Sequence, residues 1–206
     1  MAAINDKSKL IPALYKDGFS MGQIAKKMGL SPSTIRYWLD KNGIKRRLIS
    51  DAINSWYSIK FNKKPFKLKI NLSPNEKDLK TSGIMLYWGE GAKSGNVVKL
   101  SNSDPDLIRL FLNFLRNICG IDEKRLKALI HLYPDHNENE LLQFWIKITN
   151  IPRERFYKPF IHKGKKGSYK NKVKWGTLAI NYPDKNLLKT LLNWINEYRD
   201  KTKLPS

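Results

Sequence analysis

The amino-acid sequence predicts an α+β protein in two parts, a small all-α unit over residues 1–47 and a larger α+β unit over residues 73–206. Three observations make the prediction. Helix start and stop signals crowd the first 47 residues, and from residue 73 onward capped helices alternate with runs that read as strands. Between them, residues 48–72 set Lys60, Lys63, Lys64, Lys67 and Lys69 against one acid, Asp51, interleaved with Trp56, Tyr57, Phe61 and Phe66. This basic aromatic stretch is the connecting segment, with a short helix over 48–61 and an extended run around Pro65.

The small unit is read from its caps. A first helix runs to about Asp17 with Leu10, Ala13 and Leu14 on one face, and Gly18 ends it. Ser20 and Gln23 form a capping box for a second helix that turns Ile24, Ala25 and Met28 inward, with Gly29 as its stop. Ser31 caps a third helix with Pro32 at its first position, where a missing N–H costs nothing. Ile35, Trp38 and Leu39 face its core and Gly43 closes it. Ser31, Ser33, Thr34, Arg36, Tyr37 and Lys41 are left outside, all of them donors suited to base edges and phosphates. Ile44 then leads into Lys45, Arg46 and Arg47, a basic arm of the kind that follows phosphates or enters a minor groove, or else the start of a solvated linker.

Composition names the class of partner. Thirty-nine Lys and Arg against eighteen Asp and Glu give a formal charge of +21 on 206 residues, well beyond what solubility asks for. Such an excess predicts a polyanion and leaves open whether it is DNA or RNA. With 41% hydrophobic residues, the chain buries a real core and is no disordered basic tail. The N-terminus lacks an apolar leader and no run is long enough to cross a bilayer, so a cytoplasmic, nucleoid-associated protein with no membrane partner is expected. Cys119 stands alone, which leaves no disulfide framework, and it reads as core packing. His131, His136 and His162 lack the paired spacing of a zinc site.

The large unit opens with a second capping box, Ser73 to Glu76, on a helix that ends near Gly91. Leu79, Ser82, Leu86 and Gly89 share one of its faces, where small residues let another helix approach. A strand at Val97–Ser101 follows, then a helix capped by Asp104 with Leu107, Phe111, Phe114 and Ile118, closed by Gly120. Leu126–Tyr133 reads as a strand, and Asn137 opens a helix bearing Leu141, Phe144, Trp145 and Ile148. Strands at about Arg155–Ile161 and Val173–Tyr182 precede a last helix, Asp184–Tyr198, with Leu187, Leu188, Leu191 and Ile195. Lys99, Lys127, Lys158 and Lys174 are expected on strands, giving one basic sheet surface. The loop between the later strands carries Lys165, Lys166, Lys170 and Lys172 without an acid, suited to a phosphate backbone.

Two resemblances sharpen this reading. The stretch GFSMGQIAKKMGLSPSTIRYWLDKNGI resembles the helix-turn-helix of resolvases and transposases, which implies base contacts from Ser33, Thr34, Tyr37 and Arg36. The alternative for the same stretch is a small helical bundle for protein contacts. GIMLYWGEGAK, Gly83 to Lys93, resembles the motif helix of LAGLIDADG homing endonucleases. In that family two such helices pack at the centre of a saddle of strands, in the order helix, two strands, helix, two strands, helix. Glu90 matches the metal-binding acid, Gly91 the glycine after it and Gly89 the small residue before it. Met85, Trp88 and Gly83 depart from the pattern.

A single motif helix implies a homodimer through residues 74–91, which suits a two-fold DNA site. The leading expectation is a dimeric, sequence-specific double-stranded DNA-binding regulator that needs no cofactor. The alternative is an active endonuclease in which Glu90 holds Mg²⁺ and, with Lys93 nearby, serves catalysis. In the regulator, Glu90 is expected to pair with Lys93. An RNA-binding protein is a third class, to which the reading head offers no support.

Overall fold

The computed structural model describes residues 2–61, 64–164 and 173–201, and the chain divides into two compact units, residues 1–65 and 66–206. Among the described residues there are eight α-helices and one four-stranded mixed sheet. None of the helices is long and apolar enough to cross a membrane.

The first unit holds α1 (Ala2–Lys16), α2 (Met21–Met28), α3 (Pro32–Lys41) and α4 (Ile49–Phe61). The Ser20–Gln23 capping box forms in both directions, and Ser31 caps α3 with Pro32 at the start. Gly29 closes α2 at φ 63°, a left-handed conformation open to glycine at little cost, and lets the chain turn into α3 within three residues. Ile11, Leu14 and Tyr15 of α1 meet Ile24 and Ala25 of α2 and Ile35 and Leu39 of α3 in one buried cluster. The inward face of α1 therefore differs from the expected one, since Leu10 is 46% exposed and Ala13 is exposed. Leu14 belongs to both stripes, and the helix turns inward the one with more apolar area, carrying Ile11 and Tyr15 in place of Leu10 and Ala13.

The boundary between the two units falls within residues 48–72, where the sequence reading placed it. Residues through Pro65, α4 included, belong to the first unit, and Phe66 begins the second. From there the chain docks as a strap on the end of a helix: Phe66 bridges Ile121, Lys67 N–H donates to the Gly120 carbonyl at 3.0 Å, and Lys69 N–H to that of Ile118 at 2.9 Å. Gly120, at φ 56°, permits this approach, because a Cβ there would lie 2.2 Å from the Lys67 carbonyl oxygen.

The second unit runs α5 (Pro74–Glu90), β1 (Val98–Asn102), α6 (Pro105–Asn117), β2 (Lys127–Leu132), α7 (Glu138–Thr149), β3 (Phe160–Ile161), β4 (Thr177–Tyr182) and α8 (Lys185–Lys201). The strands lie in the order β1-β4-β2-β3, with β4 antiparallel to both neighbours and β3 parallel to β2. The expected strand at 155–161 shrinks to the two residues of β3. A tight turn at Arg153–Arg155 takes its start, Phe156 makes only an isolated bridge to Ala128, and Pro159 has no N–H to give. The strand expected from Val173 begins at Thr177, because Gly176 bends at φ 61° against the His131 carbonyl.

One face of the sheet is buried. Val98, Leu100, Ala128, Ile130, Leu132, Leu178, Ile180 and Tyr182 pack with Phe111, Phe114, Trp145 and Leu191 of the helices. An ion pair sits within this packing: Arg125 Nη1 reaches Asp184 Oδ2 at 3.1 Å with the two side chains 9% and 0% exposed. Asp184 Oδ1 accepts the N–H groups of Asn186 and Leu187 at 2.9 Å each, so the same carboxylate starts α8. Two helices approach closely at Gly83 of α5, where a Cβ would stand 2.2 Å from the Phe114 ring on α6. Phe114 is fully buried and has nowhere to retreat. Gly83→Ala is expected to lower unfolding stability by about 1–3 kcal/mol through overpacking, read as a lower urea midpoint with unchanged slope.

Candidate nucleic-acid interface

The outer side of α3 is built as the sequence predicts, with differences that change what each residue offers. Ser31, Ser33, Arg36 and Lys41 are exposed, Tyr37 is 58% exposed and Thr34 is half-buried. The three hydroxyls form their own cluster: Ser31 Oγ lies 2.7 Å from Ser33 Oγ and 2.8 Å from Thr34 Oγ1 and accepts the Thr34 N–H at 3.1 Å. Ser31 and Thr34 thus hold the helix start, leaving Ser33, Arg36, Tyr37 and Lys41 as the outward row. Lys41 stands 5.7 Å from the Tyr37 ring and 5.0 Å from that of Trp38, which sets its stem against the aromatic pair.

Sequence reading overlooked Asp40, although its position four residues after Arg36 was visible. Its carboxylate lies 3.8 Å from Arg36 Nε and 3.9 Å from Arg46 Nε. All three side chains are about half exposed, so these long pairs are weak.

Within the basic arm, Lys45 and Arg46 are exposed and Arg47 is turned inward. The Arg47 backbone N–H donates to the Tyr15 hydroxyl at 2.9 Å, and its Nη2 donates to the carbonyl oxygens of Tyr15 and of Phe19, the latter at 2.8 Å. Its guanidinium also lies 4.0 Å over the Tyr15 ring. These bonds satisfy carbonyls at and beyond the end of α1, where a cation is favoured. Arg47 is therefore a clamp for the unit, in place of the phosphate contact expected of it.

At the tip of α5, Glu90 and Lys93 are both exposed, and Glu90 makes no ion pair among the described residues, so the expected Glu90–Lys93 pair is absent. The tip is fixed from below: Gly91 bridges Leu100, Ala92 N–H donates to the Lys99 carbonyl at 2.8 Å, and Tyr87 donates its hydroxyl proton to the Ala92 carbonyl at 2.5 Å. Burial pushes the Tyr87 phenol up to about 12. The expected face of α5 divides, with Leu79 and Leu86 packing on the unit's own core and Ser82 and Gly89 exposed beside the partly exposed Met85. Among the described residues no three His, Cys, Asp or Glu side chains converge as a metal site.

The outer face of the sheet carries the remaining candidates. Register sets Lys99 opposite Asn181 and Asn181 opposite Lys127, so both lysines stand in one row across three strands. Lys158 and Lys174, expected on strands, lie before β3 and in the turn before β4. Lys165, Lys166, Lys170 and Lys172 lie outside the described residues. Farther along the same face, His131 pairs with Phe160 at 5.4 Å between ring centres, and His162 lies 5.8 Å from His131 and 5.1 Å from Tyr133. This ring patch was not foreseen, because it exists only through the parallel pairing of β2 with β3.

Burial, followed by the positive charges of His162 and Lys99, holds the His131 imidazole below its usual value. The folded state then favours neutral His131 while the unfolded chain protonates normally. Its contribution to stability is present above the ordinary imidazole value and is lost as pH falls below it. The urea midpoint is expected to fall between about pH 7.5 and about pH 5.5, and to fall less steeply in His131→Gln. Equal slopes for the two proteins would remove His131 from the acid response.

No protein-family model, curated protein or solved structure matches the chain.

Proposed function

We propose that the chain is a sequence-specific double-stranded DNA-binding protein, acting as a homodimeric transcriptional regulator. Its first three helices serve as a helix-turn-helix, and α3 is the element that enters the major groove. The observation that carries this reading is the outward row of Ser33, Arg36, Tyr37 and Lys41 on a helix whose other side is locked by Ile35 and Leu39. A capped helix anchored by one buried side presents donors at fixed spacing on the other, which reading base edges demands.

The first half of the second unit supports the LAGLIDADG-like part of the proposal by its order. Taking Gly91–Ala92, bridged to β1, as a very short first strand, the chain opens helix, two strands, helix, as the resemblance implies. The later half departs from it, with three strands, β2, β3 and β4, where two are expected, and the additional helix α7 between the first two of them. The exposed Ser82 and Gly89 on α5, where a Cβ at Gly89 meets nothing within 4 Å, leave room for a second copy of the helix on a two-fold axis.

Glu90 favours one other reading, a Mg²⁺-dependent endonuclease. Each chain offers one solvent-facing carboxylate at the α5 tip, so the residues present fit a divalent ion only when two copies bring two such tips together. The ion would supply charge neutralisation at a phosphodiester.

Three measurements follow. With duplexes selected from a random pool, Arg36→Ala and Tyr37→Ala are each expected to cost about 1–3 kcal/mol on the selected site and little on random DNA; equal loss on both would assign these residues to the backbone. Gly89→Arg is expected to shift the sedimenting species from dimer to monomer. A supercoiled plasmid bearing the site is expected to stay intact with Mg²⁺ for wild type and Glu90→Gln alike, and a double-strand break by wild type alone would establish the endonuclease.

A further inference from the structure

The ring patch lies on the outer sheet face of the second unit, whereas α3 belongs to the first. Phe160 is 52% exposed at the edge strand β3, with His131, His162 and Tyr133 half-buried around it. The rings form a continuous surface: Phe160 meets His162 edge-on at 5.1 Å, and His162 lies over Tyr133 at 5.1 Å with planes 30° apart. Lys127 lies four residues before His131 on β2, on the order of 13 Å away at the rise of a strand, and Lys99 stands beyond Asn181 in the same row.

The outward positions of the four strands are Lys99, Ser101, Lys127, Leu129, His131, Phe160, Thr177, Ala179 and Asn181 by register, and no carboxylate is among them. This charge selects the occupant. A second copy would bring the same lysines and be repelled, whereas a polyanion is attracted. Within a duplex the base faces are already covered by their neighbours, and an unpaired base is free to stack on an exposed ring.

We propose that this sheet face binds unpaired nucleotides, with bases stacking on Phe160 and His162 and the backbone passing Lys127 and Lys99. This surface belongs to the second unit and α3 to the first, so on the proposed reading the same chain holds a duplex site on one unit and a single strand on the other. Stacking tolerates any base, which makes the second contact indifferent to sequence.

The test is a titration of the full chain, followed by fluorescence anisotropy, against labelled oligo(dT) and oligo(U) of about 15 nucleotides and a random duplex of like length. Phe160→Ala and Phe160→Leu are each expected to weaken single-strand binding about tenfold, the span of one lost base stack. Phe160→Trp is expected to bind within about twofold of wild type because any π-face serves. Duplex binding should be unchanged in all three. Equal affinity for the two oligonucleotides, or a preference for either, supports the proposal and assigns the strand as both, DNA or RNA. Wild-type binding by Phe160→Leu would overturn it, since leucine keeps apolar area and loses the ring. Equal losses on duplex and single strand would also overturn it, as would conversion of a dimer to a monomer by Phe160→Ala. Failure of the α3 reading is distinct: it appears with Arg36→Ala and Tyr37→Ala on the selected duplex and leaves the oligo(dT) titration unaffected.

Discussion

The approach of α5 to α6 at Gly83 is the constraint on which the second unit depends. Without a side chain at that position the Phe114 ring lies directly on the α5 backbone, and the two helices close over the buried sheet face as one layer. That contact decides which way α5 rolls. With Gly83, Ile84 and Tyr87 turned inward, Ser82 and Gly89 are left outward and Glu90 is carried to solvent. Tyr87 and Gly91 then tie the end of the helix to β1, so the position of the tip follows from the packing two turns earlier.

Local features of this architecture were legible in the sequence because their causes are local. Ser20 with Gln23, Ser31 with Pro32, Ser73 with Glu76, Asp104 and Asn137 all start helices where their side chains predict. Which face a helix buries was less legible, since α1 and α5 each carry two overlapping apolar stripes and the choice belongs to their neighbours. Arg47 is a sharper case. A basic residue after a helix end looks like a phosphate contact, and only a tyrosine 32 positions earlier makes it a clamp. The ring patch depends on strands 29 residues apart lying parallel (His131 to Phe160), a pairing without a local signal, whereas Asp40 beside Arg36 was in plain view.

The positive charge of the chain is also less uniform than its sum implies. Several of its eighteen acids are spent on backbone N–H groups: Asp104 starts α6, Asp122 the turn before β2, and Asp184 α8. Glu76 closes the α5 capping box and receives Lys69 at 2.5 Å, and those hydrogen bonds, with Lys69 foremost, hold its carboxyl below the ordinary range. Anions at helix starts are favoured there by the helix dipole. Acids engaged in this way leave the outer face of the sheet to lysines, and local positive potential arises from where the carboxylates are used as much as from the number of cations.

Cys119 is the one thiol in the chain, fully buried where the strap of Lys67 and Lys69 is hydrogen-bonded across its two neighbours. Burial pushes its ionisation far above the usual thiol value, so the nucleophilic thiolate is suppressed in the folded protein. The protein thereby carries its own chronometer. Alkylation of this sulfur requires an opening that exposes it, and its rate under native conditions measures how often the packing around the end of α6 lets go.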